Sequence, residues 1–202
     1  MWRVKTHDDH REFARLVERW QKPIWNLCTR MTGDLHRGED LKQETFSRVF
    51  EKRKDYQAAS RFSTWLWRIA LNLCYDELRR RYRRREVPGD ALADATSLLE
   101  DCVAEGLSPD AQAAKVEEGE LVRVALMQLP EIYRTVLVLR HYEGMKLSRI
   151  AEILEIPEGT VNSRMAEALS RLSMILEPQL KGQGKSVAAN GPLHQPMEAF
   201  IL

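Results

Sequence analysis

The sequence contains no apolar run long enough to cross a membrane, and its first residues, MWRVKTHDDHREF, lack the apolar segment of a signal peptide. Its three cysteines, Cys28, Cys74 and Cys102, stand singly, without a CxxC pair or a zinc-ligand spacing. We expect these cysteines to be reduced and structural. Together these absences predict a cytosolic protein without membrane insertion.

The sequence also lacks the residue patterns of a catalytic site. We find no nucleophile–base pair, no phosphate-binding loop and no metal-ligand cluster. His7 and His10 lie close together but have no third ligand, so we predict neither a metal site nor a cofactor. The expected activity is therefore binding rather than catalysis.

The net charge of +1 hides a separation of charge along the chain. Residues 1–87 carry 21 Lys and Arg against 13 Asp and Glu, whereas residues 88–120 carry 1 against 9. Residues 121–176 carry 7 against 6, and 177–202 carry 2 against 2. A basic block, an acidic block and two nearly neutral blocks indicate separate roles along the chain.

The basic block predicts a compact all-α unit. Residues 9–31 keep a helical step, with a break or kink expected at Pro23, and Thr32-Gly33-Asp34 is a stop signal. A second helix is predicted from Gly38, with an unusually acidic outer face. A polar loop over 53–61 then leads into a third helix that ends near Arg85.

The helix predicted over 61–85 has two faces. Its apolar residues recur at three- and four-residue steps and predict a core face: Phe62, Trp65, Leu66, Ile69, Ala70 and Leu73. The other face is polar and partly basic, with Thr64, Arg68, Asn72, Asp76 and Arg79, and the helix ends in RRRYRRR. Aromatic rings, arginines and an asparagine together suit single-stranded nucleic acid. A core helix with a solvated basic end is the alternative.

Composition changes after this helix and predicts four segments. These are a helical domain over 1–87, a flexible acidic linker over 88–113, a second helical domain over 114–177 and a disordered tail over 178–202. In the second domain, Pro130 opens a helix that Gly144 ends. The apolar end of the tail, MEAFIL, offers a docking segment as the alternative to a frayed terminus.

The second domain has the sequence form of a helix-turn-helix. Leu147, Ile150, Ala151 and Leu154 predict a short helix, and Glu155 to Gly159 predict a tight turn. The following helix packs through Val161, Met165, Ala168, Leu169 and Leu172. It would present Thr160, Asn162, Ser163, Arg164, Glu167 and Arg171 outward. A simple helical hairpin is the alternative.

With these pieces in order, the chain resembles the two-domain, extracytoplasmic-function type of bacterial RNA polymerase sigma factor, over roughly 10–86 and 114–176. RMTGDLHRGEDLKQETFSRVF resembles the polymerase-binding segment of that family, and FSTWLWRIALNLCYDELRRR its promoter-melting helix. LPEIYRTVLVLRHYEGMKLSRIAEILEIPEGTVNSRM resembles its C-terminal helix-turn-helix. The resemblance implies a non-catalytic initiation factor that recruits polymerase, recognises two promoter elements and stabilises the melted strand.

Carried over residue by residue, the resemblance implies three binding surfaces. The coiled coil of the polymerase's largest subunit would meet Asp40, Gln43, Glu44 and Phe46. The melted -10 element would meet Arg61, Arg68, Asn72, Asp76, Arg79 and Arg80. In that surface Asn72 would lie near the flipped base, the loop 55–61 would form a wall of its pocket, Trp65 would anchor the core, and Arg79 to Arg85 would hold phosphates. The duplex -35 element would meet Thr160, Asn162, Ser163, Arg164, Glu167 and Arg171.

The implied partners are core RNA polymerase, promoter DNA and an anti-sigma factor of the kind that holds many members of the family. Asn162 and Glu167 depart from the family pattern, which has more basic residues along this helix; Glu accepts from cytosine N4 but repels phosphate. The acidic linker would either thread towards the active site as an RNA-like polyanion or act as an extended spacer. A regulator that retains the helix-turn-helix without productive initiation is the alternative function.

Overall fold

The computed structural model describes residues 1–57, 61–85 and 109–183, and every regular element in these ranges is helical. The helices are α1 (Trp2–His7), α2 (His10–Thr32), α3 (Leu35–Glu51), α4 (Phe62–Arg85), α5 (Pro109–Gln128), α6 (Glu131–Leu137), α7 (Leu147–Leu154) and α8 (Glu158–Gln183). A 3-10 turn, Lys52–Lys54, follows α3, and a π-helical turn, Val138–Tyr142, continues α6. The predicted all-α class is confirmed. Over the ranges described, no helix has the length and hydropathy needed to cross a bilayer.

The chain divides into two compact units, of which the first is built on the packing of α2, α3 and α4. Their apolar side chains recur at helical spacing and form a core in which each of the following is at most 3% exposed: Ile24, Leu27, Cys28, Met31, Leu41, Val49, Leu66, Ala70, Leu73 and Cys74. Cys28 and Cys74 are free thiols, as expected from the sequence. A hydrogen bond between them, together with burial, raises the pKa of Cys74.

The core tryptophan of α4 is Trp67, not Trp65 as the sequence led us to expect. Trp67 is 3% exposed, and its ring meets the edge of Trp20 with the centroids 6.4 Å apart. Trp65 lies two residues earlier, about 200° around the helix. It is half-buried and packs on Tyr56, with a centroid distance of 5.3 Å.

Two helix boundaries in the first unit differ from the prediction. α2 runs unbroken through Pro23, because the residues after this proline, from Ile24 onward, are packed in the core, and the proline removes only one backbone hydrogen bond. α3 begins at Leu35 rather than at Gly38. Asp34 caps it, with Oδ1 accepting the Arg37 N–H at 2.9 Å. The short helix α1 was not predicted.

The second unit is built on α5 to α8, and it contains the predicted helix-turn-helix, α7 followed by a turn at Glu155 and then α8. α5 begins at Pro109, inside the segment predicted as linker, since proline is well suited to a first helical position. α8 continues through Pro178 to Gln183, beyond the predicted end at 177. The rest of the predicted linker and tail, 88–108 and 184–202, lies outside the described residues.

A buried arginine of α6 binds the C-terminal end of α5 in the second unit. Arg134 is 3% exposed and donates hydrogen bonds of 2.9 Å to the carbonyl oxygens of Leu126, Met127 and Leu129. These three carbonyls lie at or just after the C-terminal end of α5, where the regular helical hydrogen bonds run out. The guanidinium therefore caps α5 and fixes its junction with α6.

Close contact between α2 and α3 depends on a glycine. A Cβ atom added to Gly38 would lie 2.1 Å from Thr29 Oγ1 and 3.0 Å from Thr29 Cα. Because the second of these atoms belongs to the backbone of α2, a rotamer change of Thr29 would not make enough room.

We expect Gly38→Ala to lower the free energy of unfolding of the first unit by about 1–3 kcal/mol, because the two helices must move apart. Urea unfolding followed by circular dichroism measures this effect. Gly159→Ala is the matched control: nothing lies within 4 Å of its added Cβ. The control should be neutral or stabilising by up to about 1 kcal/mol. Equal stability of Gly38→Ala and wild type would contradict the close contact.

Candidate nucleic-acid interface

One face of α4 carries four of the six predicted -10 residues in a single stripe, which Trp65 and Arg83 extend at its two ends. Trp65, Arg68, Asn72, Asp76, Arg79 and Arg83 follow one another at three- or four-residue steps. Asn72, Arg79 and Arg80 are exposed, and Asp76 Oδ1 pairs with Arg79 Nη2 at 3.3 Å. Arg61 is also exposed and starts the helix, its carbonyl oxygen accepting the Thr64 N–H at 2.9 Å. The structure thus brings all six predicted -10 residues onto or beside one helix.

The C-terminal end of this stripe forms a shallow hollow lined by Asp76, Arg79, Arg80, Tyr82 and Arg83. Tyr82 is 55% exposed, although a large aromatic side chain gains most from burial. An exposed ring among guanidinium groups can stack on a base while the cations hold phosphate. Tyr82 was not among the predicted residues; its position inside RRRYRRR was the available signal.

An aromatic cluster, Tyr56, Phe62 and Trp65, lies at the N-terminal end of the stripe. The centroid of Tyr56 is 6.1 Å from that of Phe62 and 5.3 Å from that of Trp65, and Phe62 and Trp65 are 6.2 Å apart. All three rings are half-buried. Tyr56 belongs to the loop predicted to wall the base pocket, of which residues 58–60 lie outside the described ranges.

A charge network behind the stripe joins α4 to the α2–α3 turn. The Glu77 side chain is 9% exposed; its Oε2 accepts from Arg37 Nη2 at 2.7 Å and its Oε1 from Arg81 Nε at 3.2 Å. Arg81 also donates to Asp34 Oδ2 and to the carbonyl oxygen of Thr32, each at 3.1 Å. Arg81 was predicted to hold phosphate with the rest of the arginine run. In the structure the Arg81 guanidinium group instead binds Glu77, one helical turn earlier, and Asp34.

The pKa of Glu77 reflects this environment. Burial alone would raise it, but the hydrogen bonds and positive charges of Arg37 and Arg81 outweigh burial and lower the pKa below its ordinary value. The hydrogen bond to Glu77 likewise raises the pKa of Arg37. Both shifts favour the charged forms of Glu77 and Arg37 at neutral pH.

The outer face of α3 presents most of the predicted polymerase-binding residues. Asp40 and Gln43 are exposed, the first paired with Arg37 Nη1 at 3.1 Å, the second donating to Glu39 Oε1 at 3.2 Å. Glu44 is half-exposed and pairs with Arg48 at 2.7 Å. Phe46 is only 7% exposed and lies in the core, so its side chain supports this acidic face from beneath rather than forming part of it.

The solvent-facing stripe of α8 differs in part from the predicted set. Asn162, Ser163 and Glu167 are exposed, whereas Thr160 and Arg164 are half-buried. Arg171 lies over the Tyr133 ring, 4.9 Å from its centroid, and its Nε bonds Glu167 Oε1 at 2.6 Å. This side chain is 42% exposed, and the two contacts hold it along the surface of the unit. Ala166 and Ser170 are exposed on the same stripe and were not predicted, because small side chains give no chemical signal in the sequence.

Comparison with known families identifies both units. The model for sigma-70 region 2 matches residues 16–84, and the model for sigma-70 region 4 matches residues 119–172. The first match includes α4 and its stripe as far as residue 84. The second includes the helix-turn-helix and continues into α8 as far as residue 172. Helix α1 lies outside them.

Individual relatives agree with these family matches. The ECF RNA polymerase sigma factor SigW of Bacillus subtilis is 35% identical over 161 residues, which cover 78% of this chain and 84% of the relative. The RNA polymerase sigma-H factor of Pseudomonas aeruginosa is 33% identical over 174 residues, covering 86% and 90%.

Solved structures show the same fold. The sigma factor RpoE, in complex with the anti-sigma factor NepR from Bartonella quintana, matches with a TM-score of 0.62 and 22% identity, covering 82% of this chain and 97% of that one. CnrH, in complex with the cytosolic domain of CnrY, matches with a TM-score of 0.58 and 24% identity, covering 84% and 90%.

We expect Glu77→Gln to lower the free energy of unfolding of the first unit by about 3 kcal/mol at neutral pH, because two arginines lose their shared anionic acceptor. The pKa of Glu77 is lowered in the folded state. Its contribution is therefore complete above the unfolded-state pKa, near 4.5, and is lost as the pH falls through the folded-state pKa.

Urea unfolding at pH 7 and at about pH 3 tests this dependence. The difference between wild type and Glu77→Gln should narrow at the lower pH, where the wild-type carboxyl takes up a proton. Glu51→Gln is the control, because Glu51 is exposed, and it should leave stability within about 0.5 kcal/mol. A difference that stays constant with pH would contradict the assignment to Glu77.

Proposed function

The chain belongs to the sigma-70 family of RNA polymerase sigma factors, in its extracytoplasmic-function group, and on that premise we propose how its two units divide the work of transcription initiation. The first unit binds core polymerase and holds the melted -10 strand. The second unit reads the duplex -35 element. The chain acts by binding alone, in the cytoplasm. The single observation that carries this division is the α4 stripe, where rings, an amide and guanidinium groups share one exposed face.

The stripe fits a melted strand better than a duplex. The half-buried rings at one end and Tyr82 at the other offer surfaces for stacking, which is worth about 1–3 kcal/mol per base. Between them Asn72 is exposed on α4 and presents an amide that can both donate to and accept from a base edge. Arg79 and Arg80 hold the phosphates that follow. Capture of an unstacked base in this way lowers the cost of opening the promoter.

The acidic face of α3 supports polymerase binding. Asp40 and Gln43 project from a unit whose sequence is otherwise basic. The carboxylates of this face pair with Arg37 and Arg48 and can exchange these partners for cations of a second protein, so a protein surface carrying positive charge is a suitable partner. The family resemblance assigns that surface to the coiled coil of the largest polymerase subunit.

The -35 element is read by the exposed stripe of α8. The Asn162 side chain can pair with adenine at its N6 and N7 atoms, and the methyl group of Ala166 can contact a thymine methyl. Glu167 can accept from cytosine N4. Its ion pair with Arg171 offsets the repulsion from phosphate that an isolated glutamate would bring. Lys146, exposed at the start of α7, contacts the DNA backbone.

Regulation by an anti-sigma factor is part of the proposal. The two solved structures with this fold are described as complexes with NepR and with the cytosolic domain of CnrY. A partner of that kind would compete with polymerase for this chain.

Two substitutions separate the roles of the first unit. Asn72→Ala should reduce the yield of open complex about tenfold or more, since one base contact is worth about 1–3 kcal/mol, and should leave polymerase affinity unchanged. Asp40→Ala should weaken polymerase binding by about a similar factor, without changing strand opening once the holoenzyme is saturated. Permanganate reactivity of thymines measures opening, and fluorescence titration with core polymerase measures affinity. Equal losses of both properties in each variant would contradict this division.

Two further substitutions distinguish base contacts from phosphate contacts in the second unit. Asn162→Ala should cost about 1–3 kcal/mol for the preferred sequence and relax selectivity at one -35 position. Lys146→Ala should weaken binding about equally for all sequences and reduce the salt dependence by about one charge. Holoenzyme binding to promoters selected from a random pool, repeated with each -35 position varied, measures both effects. Uniform weakening by Asn162→Ala would count against its role in base recognition.

A further inference from the structure

The N-terminal helix α1 contacts the segment between α3 and α4, although it precedes the family match that begins at residue 16. Val4 is fully buried and anchors the helix to the first unit. Lys5 of α1 and Asp8, the residue that caps α1, both form hydrogen bonds to that segment. The contacts they make involve the aromatic cluster beside α4.

Lys5 holds the backbone of the aromatic cluster directly. Its Nζ donates to the carbonyl oxygen of Tyr56 at 2.7 Å. This carbonyl lies in the loop that follows the 3-10 turn. A charged donor forms a stronger hydrogen bond than a neutral one, so the ammonium group restrains the position of Tyr56. The Tyr56 ring in turn packs on Phe62 and Trp65.

Asp8 fixes the base of the same loop. It caps the end of α1 in a left-handed conformation, φ 50°, and its Oδ1 accepts from Arg53 Nε at 2.5 Å. Arg53 also donates to the carbonyl oxygen of Phe50 at 2.8 Å and lies 4.2 Å from the Phe50 ring centroid. The hydrogen bond from Arg53 lowers the pKa of Asp8, so this carboxyl is ionised at neutral pH. The loop is thus attached to α1 at both Arg53 and Tyr56.

We propose that α1 is a positioning element for the melted strand: through Lys5 and Asp8 it sets the placement of Tyr56, and with it the stacking surface at the N-terminal end of α4. Neither residue contacts the strand. This inference rests on the proposed function of the α4 stripe. It adds residues outside the family match to the part of the molecule that controls promoter opening.

A role limited to stability makes a different prediction. If α1 only stabilised the first unit, its loss would reduce polymerase binding and strand capture in proportion. If α1 positions the aromatic cluster, strand capture alone should fall, because the hydrogen bond from Lys5 goes to Tyr56 and not to the acidic face of α3. The experiment therefore compares the two properties within one variant.

The test uses full-length holoenzyme and a promoter selected from a random pool by the wild-type protein. Lys5→Met keeps the aliphatic stem but removes the donor, and Lys5→Arg restores a donor. Affinity is measured for a single-stranded -10 oligonucleotide, alongside affinity for core polymerase. Lys52→Met, at an exposed lysine of the neighbouring 3-10 turn, is the charge-matched control.

Lys5→Met should weaken the single-strand affinity about fivefold or more, as expected for loss of a charged hydrogen bond, with polymerase affinity unchanged. Lys5→Arg should recover most of the loss, Lys52→Met should show none, and Asp8→Asn should act in the same direction as Lys5→Met. Proportional loss of both affinities, or unchanged strand binding in both Lys5→Met and Asp8→Asn, would overturn the proposal.

Asn72→Ala, tested in the same assay, separates this inference from the proposed function. Strand affinity lost in Asn72→Ala but kept in Lys5→Met and Asp8→Asn would overturn the role of α1 alone. Strand affinity kept in all three variants would overturn the assignment of the α4 stripe, and the role of α1 with it.

Discussion

The carboxylate of Glu77 is the interaction on which the first unit depends. It lies on the buried side of α4 and binds Arg37 of α3 and Arg81 of α4, while Arg81 also reaches the end of α2. Three helices are therefore joined at one nearly buried anion, whose desolvation is offset by two guanidinium groups. Because this attachment lies near the C-terminal end of α4, it fixes the direction in which the arginine-rich end projects. The run RRRYRRR is divided accordingly: Arg81 serves the fold, and Arg79, Arg80 and Arg83 remain on the outer side.

Helix α4 thus carries both the core and the interface of the first unit. Leu66, Trp67 and Ala70 pack inward, while Asn72 is exposed on the opposite side. A change on one face is transmitted to the other only by rotation or displacement of the whole helix. Glu77 resists this movement at one end, and the aromatic cluster, held by Lys5, resists it at the other. A preorganised surface of this kind loses less conformational freedom when it takes up a flexible strand.

Local pattern was sufficient to predict the all-α class, the helix-turn-helix and most of the polar stripe of α4, because helical periodicity and turn residues are properties of neighbouring positions. Local pattern was not sufficient where tertiary packing decides which side chains are buried and which partners they bind. Trp65 and Trp67 are equally apolar, and only contact with Trp20 shows which of them is central. The inward direction of Arg81 depends on Glu77 and Asp34, and the hold of Lys5 on Tyr56 joins residues far apart in sequence. Pattern alone also gave no sign that Arg171 lies over the ring of Tyr133.

The internal pairing of Arg171 bears on how the holoenzyme searches a genome. Affinity for random DNA comes from cations that displace counterions from phosphate. Residues 121–176 carry only 7 Lys and Arg against 6 Asp and Glu, and one of these arginines is occupied by Glu167 and Tyr133. The second unit therefore carries little net positive charge for sequence-independent binding to phosphate. A unit of this kind would depend on base edges, rather than on accumulated charge, for its hold on duplex DNA.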